Sequence, residues 1–428
     1  RGISLQAPRR EELSPPRQYV RCPVWGAPIT PPAETVIADV NRIRDEERAR
    51  LKAEVASTYC GGDLHFWARR FSEANGDDPL RVMFLVSRHT TYLKYCIRDL
   101  ASAFERRGIR TLTLTETADH TTTSTIRVLR EIQAFRPDMF FVIDHFRREH
   151  ATFMPPNVPY VGWIQDQLLN LYCREAGQSL GPFDFFIARD IDSLARGFGY
   201  PASQGLTWTA AADDRQYSSK RMPARELAPH RCDVSFVSHQ SKTPCAFLAE
   251  QIAAFSADRQ TSQYMECLYA LLLRDFAQDP RTGCSRPARL LLEEASQETG
   301  LSVEDDGNAD RLVRFFLHQL AEFIFRQGTL EWVADYCDRT GRILHIYGSG
   351  WDRHPRFARY ARGAAANGTQ LRSICQASRV NLQICGGGGI HQRLLDGLLA
   401  GGFFLVRYSP FDVMHDAIRG VLAAIEKY

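Results

Sequence analysis

Apolar residues fall into short continuous runs separated by stretches of helical spacing, and this rhythm begins near Pro79. The runs have the length of strands, and the segments between the first of them repeat apolar residues at helical intervals. We predict strands at Leu80–Val86, Ile109–Leu114, Met139–Ile143, Val158–Ile164 and Phe183–Ala188, with helices at Tyr92–Arg107 and Ser124–Phe135. Strands that alternate with helices predict a parallel α/β sheet whose ligands gather at the carboxyl ends of the strands.

The same rhythm returns in the second half, after a polar and turn-rich stretch at 210–230. Between its first two strands, Thr243–Phe325 is helical by pattern, which predicts an inserted helical subdomain. Four strands are predicted at Cys232–His239, Ile343–Tyr347, Val380–Ile384 and Phe403–Val406, with a terminal helix at Phe411–Tyr428. We therefore predict two α/β domains, 79–215 and 230–428, the second with a helical insertion at about 243–325.

The first 78 residues do not share this rhythm. Residues 1–36 carry many prolines and scattered arginines, which is typical of an extended arm. The stretch from Ile37 to Arg70 is highly charged and has helical periodicity, so we predict a helix with a largely solvated face. The arm, this helix and the helical insertion are the surfaces on which we expect a protein partner, although plain structural cover explains the insertion equally well.

Composition excludes several classes of protein. A net charge of +3 over 428 residues argues against a nucleic-acid binder, and no apolar run approaches the eighteen residues of a membrane span. Eleven cysteines without a C-x-x-C pair are typical of a reducing compartment, so we expect a cytoplasmic protein. The twelve histidines show no ligand spacing with these cysteines, and no metal site is predicted.

A run of four glycines follows the predicted strand Val380–Ile384 and precedes a helical pattern. Such a loop can expose backbone N–H groups to a phosphate, although many glycine runs are only tight turns. In the helix, Arg393 and Asp396 are three residues apart and share one face, which suits a cation for phosphates and a carboxylate for ribose hydroxyls. The predicted phosphate-binding residues are Gly387, Gly388, Gly389 and Arg393.

A second glycine turn lies upstream, where the predicted strand Ile343–Tyr347 continues into Gly348-Ser349-Gly350-Trp351. Together the two motifs resemble the C-terminal half of GT-B glycosyltransferases, specifically the bacterial family named after a spore-maturation protein. The resemblance covers Pro79 to about Val406 as architecture, and its specific motifs lie in the last seventy residues or so of that span. It implies two Rossmann-like domains that face each other across a cleft.

The resemblance also implies a function. A nucleotide-sugar donor, with UDP as the favoured nucleotide, would bind the second domain, and a protein, glycan or lipid-linked acceptor would bind the first. No obligatory metal is implied, because N–H groups and arginine can neutralise the leaving diphosphate. Asp396 takes the place of the family's ribose-binding Glu. The sequence also departs from many retaining members, which carry a sugar-contacting Glu where this chain has Gly386–Gly389.

Two further residues of the expected donor site have open alternatives. His391 begins the helix beside the glycines, where it could stabilise a leaving diphosphate or cap the helix. Trp351 could stack on the base or belong to the core. The full predicted donor-binding set is Gly348, Ser349, Trp351, Gly387, Gly388, Gly389, His391, Arg393 and Asp396.

Candidate catalytic residues lie at strand ends in the first domain. His145 and Asp166 are the predicted general bases for an inverting transfer, and Asp144 is predicted to orient His145. Side chains of these types also cap helices, and a retaining transfer would need no such base, so the stereochemistry stays open.

Other functions fit the same pattern. A binding module that has kept the fold and lost the chemistry predicts donor binding without turnover. A nucleotide-sugar epimerase of GT-B shape would interconvert the free donor. A Rossmann oxidoreductase is disfavoured, because its glycine fingerprint belongs after the first strand, where this chain has Ser87-Arg88-His89-Thr90-Thr91.

Overall fold

A computed structural model describes residues 33–407, except 91, 209, 240, 255–258, 281–285, 304–308, 310–311 and 386–390. Three predictions therefore lie outside the described residues. They are the arm before residue 33, the terminal helix 411–428, and the glycine loop with Gly387, Gly388 and Gly389.

Two helices, Ala33–Tyr59 and Leu64–Glu73, precede the first strand. One helix was predicted through Arg70, but the glycine pair at 61–62 ends the first helix, and Asp63 then caps the second by accepting a hydrogen bond of 2.6 Å from the N–H of Phe66. The first helix is mostly exposed from residue 35 to residue 50. Nearer its carboxyl end, Leu51 and Val55 pack in the core.

The first sheet has six parallel strands in the order β2-β1-β3-β4-β5-β6. Five of them were predicted, and β6 is a short edge strand that the apolar pattern did not reveal. The strands are β1 Arg81–Leu85, β2 Arg110–Leu114, β3 Met139–Ile143, β4 Tyr160–Trp163, β5 Asp184–Ala188 and β6 Gly205–Thr207. The helices between them are Leu93–Glu105, Thr125–Phe135, Arg174–Gln178 and Ile191–Phe198.

Both faces of this sheet are buried, as its apolar strands require. Met83 and Phe140 point to one face, where they pack with Leu129 of the helix Thr125–Phe135. The neighbouring residues Val82 and Phe141 point to the other face, which the helix Leu93–Glu105 covers.

The second sheet has four parallel strands in the order β10-β9-β7-β8. Read from β8 to β10, the strands of this sheet lie in the order second, first, third, fourth along the chain, and the first four strands of the first sheet have the same order. In both sheets the strand order therefore reverses beside the first strand. The strands are β7 Cys232–Val237, β8 Leu344–Tyr347, β9 Ser378–Gln383 and β10 Phe404–Val406. The helices Ala224–Leu227, Thr369–Ala377 and Gln392–Leu399 accompany this sheet. We call each sheet with its helices a lobe.

Helices between β7 and β8, where an insertion was predicted, form a separate apolar core. They are Pro244–Ala254, Arg259–Gln278, Ala288–Thr299 and, after the π-helical turn Val313–Leu317, the long helix His318–Thr340. The segment 330–340, beyond the predicted insertion, is the end of this long helix. Its start packs in the insertion through Leu320 and its end packs under the second sheet through Leu330.

The carboxyl edges of the two sheets face each other. Tyr92, after β1, donates a hydrogen bond of 3.2 Å to Asp396 in the second lobe. Tyr172, after β4, lies under the guanidinium of Arg314, which is 5.1 Å from its ring centre. We call the space between these two contacts, where the strands of the first sheet end, the cleft.

The predicted α/β class with parallel sheets is confirmed, while the predicted domain boundaries stay predictions. None of the described helices is long and apolar enough to cross a membrane.

Candidate functional site

Asp144 ends β3 with a positive φ of 59°, a left-handed conformation that Asp adopts more readily than most residues. Its Oδ1 accepts hydrogen bonds from the N–H groups of Gln165 (2.7 Å) and Asp166 (3.1 Å). Burial raises its pKa to about 6, although these two hydrogen bonds oppose the shift. Asp144 therefore holds the turn after β4, and its carboxylate makes no hydrogen bond to the ring of His145, which we had predicted it to orient.

Glu149 is the residue that orients His145, and the sequence analysis missed it. The short 3-10 helix Arg147–His150 follows β3 and brings the Glu149 carboxylate to Nδ1 of His145. Glu149 is itself held by the N–H of Phe146, at 3.1 Å, and by the amide of Asn170, at 3.1 Å. Because a carboxylate only accepts hydrogen bonds, this contact keeps a proton on Nδ1 and leaves Nε2 as the nitrogen that can accept one.

The charges of this pair depend on each other. The hydrogen bond to Glu149 raises the pKa of His145 above its ordinary value. Burial works to raise the pKa of Glu149, but hydrogen bonds from His145 and Phe146 outweigh burial and lower it. The neighbouring His150, whose ring centre is 5.6 Å from that of His145, has its pKa lowered to about 4 by burial. The pKa of His145 is therefore raised, while that of the neighbouring His150 is lowered.

Asp166, the other predicted base, keeps an accessible side chain at the end of β4. Burial raises its pKa, so protein surrounds the carboxylate even though solvent reaches it. His145 shows the same combination, with half of its side chain accessible. His145 and Asp166 closely follow β3 and β4, so both lie at the carboxyl edge of the first sheet, on the side of the cleft.

The turn after β8 requires glycine at 348. Gly348 has a φ of 139°, and a Cβ there would lie 1.8 Å from the carbonyl oxygen of Ser238. The turn presents Ser349 to His239, whose Nδ1 accepts hydrogen bonds from the N–H (3.2 Å) and hydroxyl (3.1 Å) of Ser349. These hydrogen bonds link the loop after β7 to the loop after β8.

Trp351 belongs to the core. Its side chain is only 2% exposed, and its indole N–H donates a hydrogen bond of 2.6 Å to the carbonyl of Ser238. Phe236 and Phe357 pack against its ring, with centres 6.1 and 5.9 Å away. These contacts leave no ring face for a nucleotide base, so Trp351 positions the glycine turn and does not stack on a ligand.

Arg393 is a cation without a carboxylate partner among the described residues. Its Nη1 donates to Oε1 of Gln383 at 3.3 Å, and its guanidinium lies 5.9 Å from the ring centre of Phe236. Loss of hydration, with the positive charge of Arg326 nearby, lowers its pKa to about 10. The side chain therefore stays charged at neutral pH in a place where its charge is poorly compensated.

His391 caps the helix Gln392–Leu399, since its Nδ1 accepts a hydrogen bond of 3.2 Å from the N–H of Arg393. Loss of hydration and the charges of Arg393 and Arg326 lower its pKa to about 3. Of the two predicted roles, capping is the one that the structure shows, and it keeps the ring neutral.

Asp396 lies one turn further along the same helix and is only 1% exposed. Its Oδ1 accepts a hydrogen bond of 2.7 Å from the amide of Gln392, and its Oδ2 accepts the bond from Tyr92. Burial raises its pKa to about 7, although both hydrogen bonds oppose the shift. Tyr92 was not predicted as a site residue.

The described residues also bear on two other kinds of site. Within the described part of the chain, no group of three or more His, Cys, Asp and Glu residues could hold a metal ion. A cavity of about 210 Å³ lies at the amino edge of the first sheet, between Tyr59, Trp67 and Arg81. The carboxylate in its wall, Asp138, already pairs with Arg70 (3.0 Å) and Arg81 (3.2 Å), so we assign this cavity no chemistry.

No protein-family model matches this chain, and no curated protein sequence matches it.

Proposed function

We propose that this protein is a glycosyltransferase of the GT-B type, which transfers a sugar from a nucleotide-sugar donor to an acceptor hydroxyl. The donor would bind at the carboxyl edge of the second sheet and the acceptor at that of the first. The observation that carries the proposal is Arg393, a poorly hydrated cation without a carboxylate partner among the described residues, placed one turn before Asp396 at the cleft.

A diphosphate suits this cation. The planar guanidinium binds two phosphate oxygens at once, and a bound anion would restore the compensation that Arg393 lacks. Arg393 also lies in the first turn of the helix Gln392–Leu399, where the helix dipole adds positive potential. Arg326 pairs with Glu322, but its charge still disfavours the charged form of both Arg393 and His391. The leaving nucleoside diphosphate would be stabilised here.

The first lobe supplies a base of the required kind. In the proposed transfer, the acceptor oxygen forms a bond to the anomeric carbon while its proton passes to Nε2 of His145. The bond from that carbon to the phosphate oxygen breaks, and its electron pair leaves with the diphosphate. Glu149 stabilises the imidazolium that forms, because a carboxylate on Nδ1 favours the charged ring. This assignment favours an inverting transfer.

A second candidate is a binding module that retains the fold without turnover. It is favoured by the missing sugar-contacting Glu, in whose place this chain has Gly386–Gly389, and by Asp396 in the place of the family's ribose-binding Glu. The two candidates share the donor site and differ in turnover.

One experiment separates them. Thermal unfolding of the protein is measured with UDP-, GDP-, TDP- and CMP-sugars, and any sugar that stabilises the fold is tested for slow hydrolysis. A ligand at about 100 times its Kd adds about 2.7 kcal/mol to the free energy of unfolding. Stabilisation with hydrolysis supports the transferase, and stabilisation without hydrolysis or transfer supports the binding module. No stabilisation by any nucleotide sugar contradicts both.

The class of acceptor, independence from metal and a cytoplasmic location remain predictions from the sequence.

A further inference from the structure

The Asp396 carboxylate is fully enclosed by its partners. It is 1% exposed, and each of its oxygens accepts one hydrogen bond, from Gln392 at 2.7 Å and from Tyr92 at 3.2 Å. A carboxylate oxygen can accept two hydrogen bonds, but an incoming hydroxyl needs room to approach. A ribose can therefore reach Asp396 only if a neighbouring side chain moves.

The two partners differ in how easily they can leave. Gln392 is four residues before Asp396 on the same helix, so it moves with the carboxylate, and its amide also donates to the carbonyl of Ala211. Tyr92 is 304 positions away, at the start of the helix Leu93–Glu105 in the other lobe. A small separation of the lobes removes the Tyr92 hydroxyl and leaves Gln392 in place.

The surroundings of Tyr92 favour the contact in the unliganded protein. The phenol is largely surrounded by protein, which raises its pKa and keeps the hydroxyl protonated as a donor. The neighbouring Cys96 has its pKa raised to about 12 by burial, so no thiolate competes for the phenol proton. The Tyr92 hydroxyl is therefore free to donate to Oδ2 of Asp396.

We propose that Tyr92 is a further residue of the donor site, which occupies the ribose-binding carboxylate Asp396 in the unliganded protein and yields it to a nucleoside diphosphate. This inference rests on the proposed function and adds the first lobe to the donor site. Binding of the donor then breaks the hydrogen bond between Tyr92 and Asp396. The free energy needed to break it lowers the affinity of the wild-type protein for any ligand that carries the ribose.

The test compares UDP with pyrophosphate, which has the diphosphate charge but no ribose. Their affinities are measured by calorimetry for the wild type and for Tyr92→Phe, which removes only the hydroxyl. The titrations are done at about pH 8.5, above the raised pKa of Asp396, so that its carboxylate is charged. We expect Tyr92→Phe to bind UDP about tenfold more tightly, since a hydrogen bond to a charged group contributes on that order. Pyrophosphate should bind both proteins equally, because it does not reach Asp396.

Tyr95→Phe is the matched control. Tyr95 lies on the same helix, with its ring centre 6.5 Å from that of Tyr92, and it makes no hydrogen bond to Asp396. This variant should bind UDP as the wild type does. Tyr92→Leu also removes the hydroxyl and serves as the second variant if Tyr92→Phe does not fold.

The possible failures are distinguishable. If the wild type binds neither pyrophosphate nor any of UDP, GDP and TDP, the proposed function fails and this inference fails with it. If the wild type binds both ligands but Tyr92→Phe binds UDP equally or more weakly, only the role of Tyr92 is overturned. A Tyr92→Phe variant that tightens pyrophosphate as much as UDP also overturns it, because the effect would not involve the ribose.

Discussion

The carboxyl edges of the two sheets share the order of their first four strands, and the candidate site residues at the two edges differ in charge. At the first edge these residues are His145, available for proton transfer, and the carboxylates Asp144, Glu149 and Asp166. We call it the acidic edge, although Arg88 and Arg189 also follow its strands. The second, the basic edge, carries Arg393 and the neutral His391. The strand order brings both sets to the cleft, and the residues after each strand decide which chemistry each side supports.

Removal of the base on the acidic side should have the largest effect. Because general base catalysis typically contributes about a hundred- to ten-thousandfold, we expect His145→Ala to lower the rate of sugar transfer by a factor in that range. The affinity for UDP should stay unchanged, because UDP binds the other edge. Rates and UDP affinities are measured on the same preparations.

The control for this variant is His65→Ala, an exposed histidine on the helix Leu64–Glu73, which packs near the amino ends of the strands. It should transfer sugar at the wild-type rate. A His145→Ala variant that retains the full rate would show that the acidic edge does not supply the base.

Glu149→Gln should have a smaller effect and a distinctive pH signature. The carboxylate raises the pKa of His145, and the base works only when its ring is neutral, so activity in the wild type rises with pH through that raised pKa. In Glu149→Gln the pKa of His145 falls, and the rising limb of the pH profile should move to lower pH. We expect the plateau rate to fall about tenfold, because the imidazolium loses its carboxylate.

The measurement is the rate of transfer from pH 5 to pH 9 for both proteins. A slower variant with an unshifted limb would assign Glu149 a purely structural role.

Asp144 should affect stability more than chemistry, with the smallest effect of the three. Its raised pKa of about 6 means that the folded protein holds this proton more tightly than the unfolded chain. The stability it contributes is complete below about pH 4 and is lost as pH rises to about 6. Asp144→Asn has no proton to lose. Between pH 4 and pH 7 its free energy of unfolding should therefore fall by less than that of the wild type, and the difference between the two falls should be on the order of 1 kcal/mol.

Thermal unfolding of both proteins at pH 4 and pH 7 gives this difference. Asparagine also tolerates the positive φ at this position, so the substitution leaves the backbone unstrained. Identical pH dependence in the two proteins would contradict the proposed burial of the Asp144 charge.

The sequence predicted those parts of the molecule that depend on local pattern. Apolar runs located most of the strands, and Asp144, His145 and Asp166 were placed at strand ends because each follows such a run directly. Gly348 was placed in a turn for the same reason. The edge strand β6 was missed because an exposed edge needs no apolar run.

Contacts between distant positions could not be predicted in this way. Tyr92 meets Asp396 across 304 positions, and no periodicity records that pairing. Glu149 is four residues after His145, a spacing that was visible, but a short 3-10 helix after a strand has no repeated apolar pattern that would reveal it. Trp351 looked equally suited to a ligand or to the core, and only packing decides between these roles.

The central claim is that the basic edge binds a nucleoside diphosphate through Arg393. Calorimetric titration of UDP into the wild type and Arg393→Ala tests it most directly, with Arg379→Ala as the control, because the Arg379 side chain is 71% exposed at the amino end of β9. Arg393→Ala should bind UDP about ten- to a hundredfold more weakly, through loss of a charge-assisted hydrogen bond, while Arg379→Ala binds it normally. Wild-type affinity in a folded Arg393→Ala variant would contradict the claim.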